Sequence, residues 1–333
     1  MASKKRRIAV ALLSGGLDST LAAKLMIDQG VAVEAISFLS PFSSGGSRED
    51  CAAVRAASKL GVRLKLVDLE DDYFEVVKNP KYGYGKNLNP CIDCKIFMLK
   101  KAKEYADVVQ ADFFVTGEVL DQRPMSQYLK ALNLIEQEAG LEGKLLRPLS
   151  ARLLPETEAE RKGWVKRKLL LDLRGRGRRR QMDLAEVLGI VGYPSPAGGC
   201  LLTEPLFCVR LKDLLEHGEA LSLRSVSLLK IGRHFRFGLN MIIVGRNEKE
   251  NQELVALKSQ EDYLFEVPDC GSPTTLLSGP ENEEALRAAA SITARYSDAK
   301  GKKILVMYGC RDLGLSLIVS PSSDKDLEKM RVR

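Results

Sequence analysis

Residues 8–20 read IAVALLSGGLDST. Ile8 to Leu13 form an apolar run suited to a buried strand, and the run breaks on Ser14-Gly15-Gly16. A helical pattern then resumes through Leu21, Ala22, Leu25 and Met26. A strand, a Gly/Ser turn and a helix N-terminus together build an anion site. Free backbone N–H groups and the positive end of the helix dipole converge on the turn. Gly15 and Gly16 let a phosphate approach where a Cβ would intrude, and Ser14, Ser19 and Thr20 add hydroxyl donors. Asp18 is out of place there, because a carboxylate repels phosphate unless it holds a metal or orients a group. The anion is therefore expected to arrive with a magnesium ion. No Gly-Lys-Ser/Thr follows the turn, which argues against a Walker loop, and the absence of G-x-G-x-x-G argues against a dinucleotide site. The plain alternative is an ordinary βα turn rich in Gly and Ser.

Residues 31–39 and 62–69 repeat the apolar strand character of 8–13, with helical patterns at 18–29 and 48–60. Strands alternating with helices predict an α/β fold, a doubly wound parallel sheet that is Rossmann-like. Ligands of such sheets bind at the carboxyl ends of the strands, where the Ser14 turn sits. A Gly/Pro/Asn-rich loop spans 79–90, a helix is expected from Cys91 to Ala106, and Phe113-Phe114-Val115 reads as a strand ending in Thr116-Gly117-Glu118. A helix from Ser126 to Ala139 and a short stretch from Lys144 to Leu149 follow. Residues 151–180 are charged, contain RGRGRRR, and are expected to be mobile or ordered only on RNA. Helix 181–189 leads into a rigid Pro/Gly loop, Gly192 to Cys200. A boundary near Glu204 or Pro205 divides the chain into domains 1–204 and 205–333. Strand patterns at 234–244, 262–268, 274–278, 303–308 and 314–319, with a helix at 281–296, predict a smaller α+β domain after it.

A length of 333 residues and a hydrophobic fraction of 45% suit a globular chain of about two domains. No apolar run approaches the ~18–20 residues that span a membrane. The basic start, MASKKRR, leads into the first strand and is read as part of the fold, so a cytoplasmic location is expected. The net charge of +7 is uneven, with basic residues in excess between Arg147 and Arg180. That excess suits a polyanionic partner, RNA first, or else a solubilising face.

Seven cysteines, an odd number, speak for metal or thiol chemistry over a disulfide framework. Cys91 and Cys94 form a C-x-x-C where a loop meets a helix, a position that lowers thiol pKa and puts both thiols on the first turn. Cys200 lies far off in its own Gly-rich loop. Three readings stay open: a 4Fe-4S cluster on Cys91, Cys94 and Cys200 with one iron free, a persulfide resolved by a second cysteine, or ordinary buried thiols. Cys51, Cys208, Cys270 and Cys310 are expected only to fill core space.

Three motifs, SGGLDS, NPCIDCK and TGEVLDQRPMSQ, together resemble the tRNA thiolation branch of the PP-loop ATP pyrophosphatase superfamily, whose fold is adenine nucleotide alpha hydrolase-like. TGEVLDQ with Ser126-Gln127 is similar to the TGE-x-LGQ-x-x-SQ motif of tRNA 4-thiouridine synthetases. NPCIDCK with a distant Gly-Cys is similar to the cysteine pair of tRNA 2-thiouridylases. Gly117 and Asp121 match a Gly and an Asp at the ATP site of iron–sulfur-dependent thiouridylases. The resemblance covers about residues 6–204.

The resemblance implies an ATP-dependent tRNA sulfurtransferase, most simply one that makes 4-thiouridine. ATP phosphates would lie on Ser14, Gly15, Gly16, Asp18, Ser19 and Thr20, and the backbone at Ser37 and Phe38 would receive the adenine. Gly117 would let the nucleotide approach the strand end, and Asp121 would orient ATP or hold Mg2+; it could equally be a helix N-terminal carboxylate. A uridine oxygen attacks the α-phosphate, pyrophosphate leaves, and sulfur held at Cys91, Cys94 and Cys200 displaces AMP. The cofactors implied are ATP, Mg2+ and a 4Fe-4S cluster. The partners are tRNA and a sulfur donor, sulfide or a persulfide carrier, with no membrane; a homodimer is compatible. Two departures stand out: 4-thiouridine synthetases usually have Gly where this chain has Asp121, and the RNA-binding domain they carry before the loop is not expected here.

Residues 205–330 resemble, more weakly, the RNA-binding module of ribosome quality-control factors, through Gly245-Arg246-Asn247 and the Asn251-to-Leu254 stretch. Arg233, Arg236, Arg246 and Lys249 would be its phosphate contacts, while Gly-Arg-Asn also suits a plain strand-to-helix turn. Other readings of the chain are a tRNA 2-thiouridine synthase, an ammonia-using synthetase, and an RNA-binding factor with a regulatory nucleotide site. The C-x-x-C and the basic segment argue against the ammonia-using form.

Overall fold

Strand β1 (Ile8–Leu12) sits at the centre of a parallel sheet because its side chains are apolar on both faces. Ala9 and Ala11 join one core with Leu21 and Phe113, while Val10 joins another with Ile96 and Phe114. All three β1 residues are at most 2% exposed, as a strand covered by helices on both sides requires. In chain order the remaining elements are α1 (Leu17–Asp28), β2 (Ala32–Leu39), α2 (Ala52–Leu60), β3 (Arg63–Asp68), α3 (Asp71–Lys78), α4 (Cys91–Val109), β4 (Phe113–Val115), α5 (Leu129–Glu138), β5 (Leu145–Leu146), α6 (Glu158–Arg161) and α7 (Arg179–Val187). The computed structural model describes residues 6–43, 48, 51–194 and 199–333, divided into units Met1–Thr203 and Glu204–Arg333.

The sheet order is β3-β2-β1-β4-β5. Val10 pairs in register with Glu34 on one side and Phe114 on the other. The chain order therefore reverses between β1 and β4, and the carboxyl ends of β1, β2 and β4 open around one crevice. Two glycines let the loops there interlock. Gly15 has φ +76, and a Cβ on it would lie 2.1 Å from the Ala52 carbonyl carbon at the start of α2. A Cβ on Gly117 would lie 2.4 Å from Ser19 N.

Segment 151–180 departs from the sequence expectation of a mobile or RNA-ordered stretch. Ala151, Ala159, Val165, Leu170 and Leu173 are at most 4% exposed and join the β1 core. Apolar residues interleave with the charges closely enough to anchor the segment, and many of the charges pair locally. Arg167 meets Glu160 at 2.6 Å, Lys162 meets Glu158 at 2.7 Å, and Arg180 meets Asp172 at 2.6 Å. Helix α5 begins at Leu129, because Ser126 and Gln127 lie in a buried turn. The expected Pro/Gly loop falls partly on residues 195–198, and the expected start of α2 on residues 49–50; these lie outside the described residues.

The second unit opens on two helices, α8 (Pro205–Glu216) and α9 (Leu223–Lys230), that the strand-focused sequence reading did not anticipate, nor did that reading place the helices at 248–257 and 324–330. There follow β6 (Arg233–Phe237), β7 (Asn240–Val244), α10 (Glu248–Leu257), β8 (Tyr263–Glu266), β9 (Thr275–Ser278), α11 (Glu283–Tyr296), β10 (Ile304–Gly309), β11 (Leu315–Val319) and α12 (Asp324–Met330). The strands form one antiparallel sheet, β11-β10-β8-β9-β7-β6. Ala285, Ala289, Ala290 and Ile292 of α11 pack on Phe235, Phe265 and Val306 of the sheet, so this is an α+β unit. Among the described residues no helix is long and apolar enough to cross a membrane.

Candidate nucleotide and sulfur site

The crevice at the carboxyl edge of the first sheet is a cleft of about 660 Å³. Ser14, Gly16, Asp18 and Ser19 line it from the turn after β1, Ser37 and Phe38 from β2, and Thr116, Gly117, Glu118, Gln122 and Arg123 from the exit of β4. Lys95 of α4 and Arg176 and Arg178 ahead of α7 add positive charge to its wall. Gly15 and Thr20 face a separate hollow of about 180 Å³ with Lys24, Arg55 and Lys59. Thr20 Oγ1 donates to the Gly16 carbonyl at 2.9 Å, so its hydroxyl ties the turn to α1. Ser19 Oγ donates to the same carbonyl at 3.0 Å and lies 3.1 Å from Ser14 Oγ.

Asp18 is oriented by groups that sequence reasoning missed. Its Oδ2 accepts from Gln122 Nε2 at 2.8 Å and Arg178 Nη2 at 3.4 Å. Gln181 Nε2 in turn donates to Gln122 Oε1 at 3.2 Å. Asp18 Oδ1 is buried and has no hydrogen-bond partner among the described residues, and the same holds for Arg178 Nε. A buried carboxylate oxygen with no donor is costly alone, and a hard cation would satisfy it. Asp18 therefore fits a magnesium ligand. Arg178 belongs to RGRGRRR, a stretch expected to be mobile or ordered only on RNA; its place at the start of helix α7 was the available clue.

Asp121 lies just outside the cleft lining. Its carboxylate accepts from Arg174 Nε at 2.7 Å, and its N–H donates to the Gln127 carbonyl at 2.7 Å, with φ +62. It closes the loop that presents Gln122.

The distant cysteines are drawn together by backbone pairing. Ser43 forms an isolated bridge with Cys200, and Leu201 N–H donates to the Phe42 carbonyl at 2.8 Å. On the other side, Leu88 N–H donates to the Leu202 carbonyl at 3.2 Å, and Asn87 Nδ2 to the Thr203 carbonyl at 2.8 Å. Cys200 is thereby held beside the loop that opens into Cys91 and Cys94. Cys91 Sγ donates to Asn89 Oδ1 at 2.9 Å, and Cys94 Sγ shares a hydrogen bond with Tyr73 Oη at 3.1 Å. Burial pushes the Cys94 thiol up to about 11; Tyr73 and Lys95 oppose the rise, and Cys91 and Cys200 add to it. Burial also raises Cys91. This corrects the expectation that the helix start lowers both thiols, since desolvation outweighs the dipole. Among the described residues no three Cys, His, Asp or Glu side chains have the arrangement of a metal site. As chemistry, a set of three thiols suits iron–sulfur ligation better than a hard cation.

Behind the cleft lies a buried charge network. Glu118, 2% exposed, accepts from Arg147 Nε and Thr116 Oγ1, each at 3.1 Å, and pairs with Lys95 Nζ at 3.3 Å. Burial would raise its carboxyl, but Lys95 and Arg147 bring it down to about 2. Arg147 also meets Glu136 at 2.8 Å. In the sequence, a carboxylate among apolar neighbours at a strand end already demands a partner.

In the second unit, Arg236 is turned inward, its side chain 10% exposed and its Nε 3.0 Å from Asp213 Oδ2. That corrects its reading as a phosphate contact, because an inward, paired guanidinium cannot reach a backbone. Arg246 is clamped on Glu250 at 2.9 Å, Arg233 lies over Tyr296 at 4.6 Å, and Lys249 is 85% exposed. Lys300, Lys302, Lys303 and Arg311, near the two ends of β10, are also exposed.

Residues 5–152 match the family model described as thiamine biosynthesis protein (ThiI), and residues 232–331 match that of the NFACT protein RNA binding domain. The chain is 34% identical over 129 residues to the tRNA-specific 2-thiouridylase MnmA of Syntrophotalea carbinolica, 35% of this chain and 36% of that protein. It is 32% identical over 114 residues to that of Sulfurimonas denitrificans, 32% of this chain and 33% of that protein. The match thus spans about a third of the length of these relatives. A crystal structure of a 4-thiouridine synthetase–RNA complex with bound ATP is 23% identical, covering 58% of this chain and 44% of that one, with TM-score 0.37. Residues 5–152 thus carry a ThiI-type domain and residues 232–331 an NFACT-type RNA binding domain, and the first of them is similar to part of the tRNA-specific 2-thiouridylases.

Proposed function

We propose that this chain is an ATP-dependent tRNA sulfurtransferase, AMP- and pyrophosphate-forming, that makes 4-thiouridine. The observation that carries the reading is the arrangement at one sheet edge. Asp18, with its unpartnered Oδ1, lines a cleft whose wall includes Lys95, the residue after Cys94. Gly199, the residue before Cys200, lines the same cleft, so the neighbours of two cysteines border the phosphate turn.

In this reading Ser14, Ser19 and the N–H groups of the turn bind the phosphates, and Ser37 and Phe38 face the adenine. Arg178 neutralises charge on the leaving pyrophosphate, the dominant requirement in phosphoryl transfer. A magnesium ion on Asp18 would supply further charge neutralisation. Asp121 acts through the loop that presents Gln122. The uridine oxygen attacks the α-phosphorus, and the bond to pyrophosphate breaks. A persulfide on one cysteine then attacks the ring carbon, and AMP departs with the oxygen. A second cysteine takes the first into a disulfide, leaving sulfur on the ring, and an external thiol reductant resets the pair. If a 4Fe-4S cluster is present, Cys91, Cys94 and Cys200 would hold it, and it would supply a coordinated sulfide. The RNA is held by the second unit, through Lys249, Lys300, Lys302 and Lys303.

A 2-thiouridine product is the second reading, favoured by the 2-thiouridylase relatives. Nucleoside mass analysis of tRNA from a strain lacking this protein tests both. Loss of 4-thiouridine supports the first and loss of 2-thiouridine the second. Unchanged thiouridines contradict both and favour an RNA-binding factor with a regulatory nucleotide site. A brown anaerobic preparation would identify the cluster form, and a colourless one that thiolates tRNA the persulfide form.

A further inference from the structure

Lys95 stands where the two halves of the site adjoin. It lies on the first turns of α4, one residue past Cys94 and one helical turn past Cys91. Its side chain is 27% exposed and lines the same cleft as Ser14, Asp18 and Gly117. Its ammonium is held from behind, 3.3 Å from Glu118, whose other partners Arg147 and Thr116 are fixed in the core. A lysine on a surface helix normally spends its rotamer freedom in water; this one is tethered by a buried carboxylate. Arg123 lines the same cleft.

We propose that Lys95 is a cation shared by the phosphate cleft and the thiol pair, with Glu118 as its positioning residue. Its charge favours an anionic sulfur species or an anionic carrier at Cys91 and Cys94, and it faces the α-phosphate as AMP leaves. The inference rests on the sulfurtransferase reading for what that charge accomplishes, but not for its existence.

The test measures the charge directly. The purified full-length protein is alkylated with iodoacetate, an anion, and in parallel with iodoacetamide, its neutral counterpart, at one pH. Modification of Cys91 and Cys94 is followed by peptide mass spectrometry. The ratio of the two rates cancels each thiol's ionised fraction and reports the local potential. Lys95→Met is expected to lower the iodoacetate-to-iodoacetamide ratio at Cys91 or Cys94 by about three- to tenfold, the range for one charge at side-chain distance in a half-exposed site. Lys95→Arg is expected to keep it. Glu118→Gln is expected to give an intermediate ratio, because the ammonium stays but loses its tether; should that variant fail to fold, the two Lys95 variants decide alone. An unchanged ratio in Lys95→Met overturns the proposal. A lowered ratio in a protein that fails to thiolate tRNA would leave the charge role standing and sink the sulfurtransferase reading instead.

Discussion

Gln122 Nε2 donates to Asp18 Oδ2 at 2.8 Å, joining the loop after β4 to the turn after β1 across the mouth of the cleft. The bond occupies one carboxylate oxygen and leaves Oδ1 buried and unpartnered among the described residues. Asp18→Asn keeps the shape and removes the charge. We expect pyrophosphate release with tRNA present to fall about a hundredfold or more, the usual cost of losing a preorganised electrostatic group. Gln122→Ala should cost less, about three- to tenfold, because it only releases the carboxylate to wander. Pyrophosphate release by Asp18→Asn at the wild-type rate would remove the ion-binding role of this residue.

Arg178 approaches Asp18 at 3.4 Å with its side chain 19% exposed, whereas Arg180 pairs with Asp172 with its side chain 63% exposed. Although both belong to RGRGRRR, they should behave differently. Arg178→Ala is expected to weaken ATP binding by about tenfold, the worth of one charge-assisted contact to phosphate. Arg180→Ala should leave it within about twofold. Isothermal titration with ATP decides the matter; equal losses in the two variants would mean that the segment acts only as a diffuse positive field.

The Glu118 carboxyl is depressed to about 2, below its ordinary value of 4.5, because Lys95 and Arg147 overcome the burial that opposes ionisation. A depressed carboxyl stabilises the fold above its unfolded value and loses that contribution as pH falls toward its folded value. The stability advantage of the wild type over Glu118→Gln should therefore be flat from pH 8 to 6. It should then narrow by about 2 kcal/mol between pH 6 and 3. Urea unfolding of both proteins across that range provides the measurement, and a gap that widens on acidification would reverse the assignment.

Leu170 is 1% exposed within a segment crowded with arginine and lysine. Leu170→Ala should cost about 2–4 kcal/mol, as for a fully packed leucine. Thermal or urea denaturation would register the loss, and a cost below about 0.5 kcal/mol would restore the mobile segment that the charges alone suggested.

These cases show where the sequence was legible. The β1 turn, the strand ends at Ser37 and Gly117, and the C-x-x-C at a helix start were readable because each has a local signature: an apolar run, a glycine, a fixed spacing. Leu170 and Val165 were hidden because their apolar side chains are separated by charges that pair among themselves, as Arg167 does with Glu160. Arg178 was hidden for the converse reason, since in a row of like residues nothing local marks the one that turns inward. Cys200 was singled out by its Gly-Gly setting, but its approach to Cys94 depends on pairing between residues 42–43 and 200–201, which no local pattern encodes. The raised thiols follow from burial, a property of the assembled fold.

The central claim is that ATP is cleaved at its α-phosphate to activate an RNA oxygen that sulfur then replaces. Its most direct test is a stoichiometry. The purified protein is incubated anaerobically with tRNA, Mg2+, ATP, a thiol reductant and labelled sulfide or a persulfide donor, and AMP, pyrophosphate and labelled thiouridine are counted together. The account predicts that all three form in equal amounts and that none forms in quantity without tRNA. ADP and phosphate as products, or AMP and pyrophosphate formed with no sulfur entering the RNA, would contradict it.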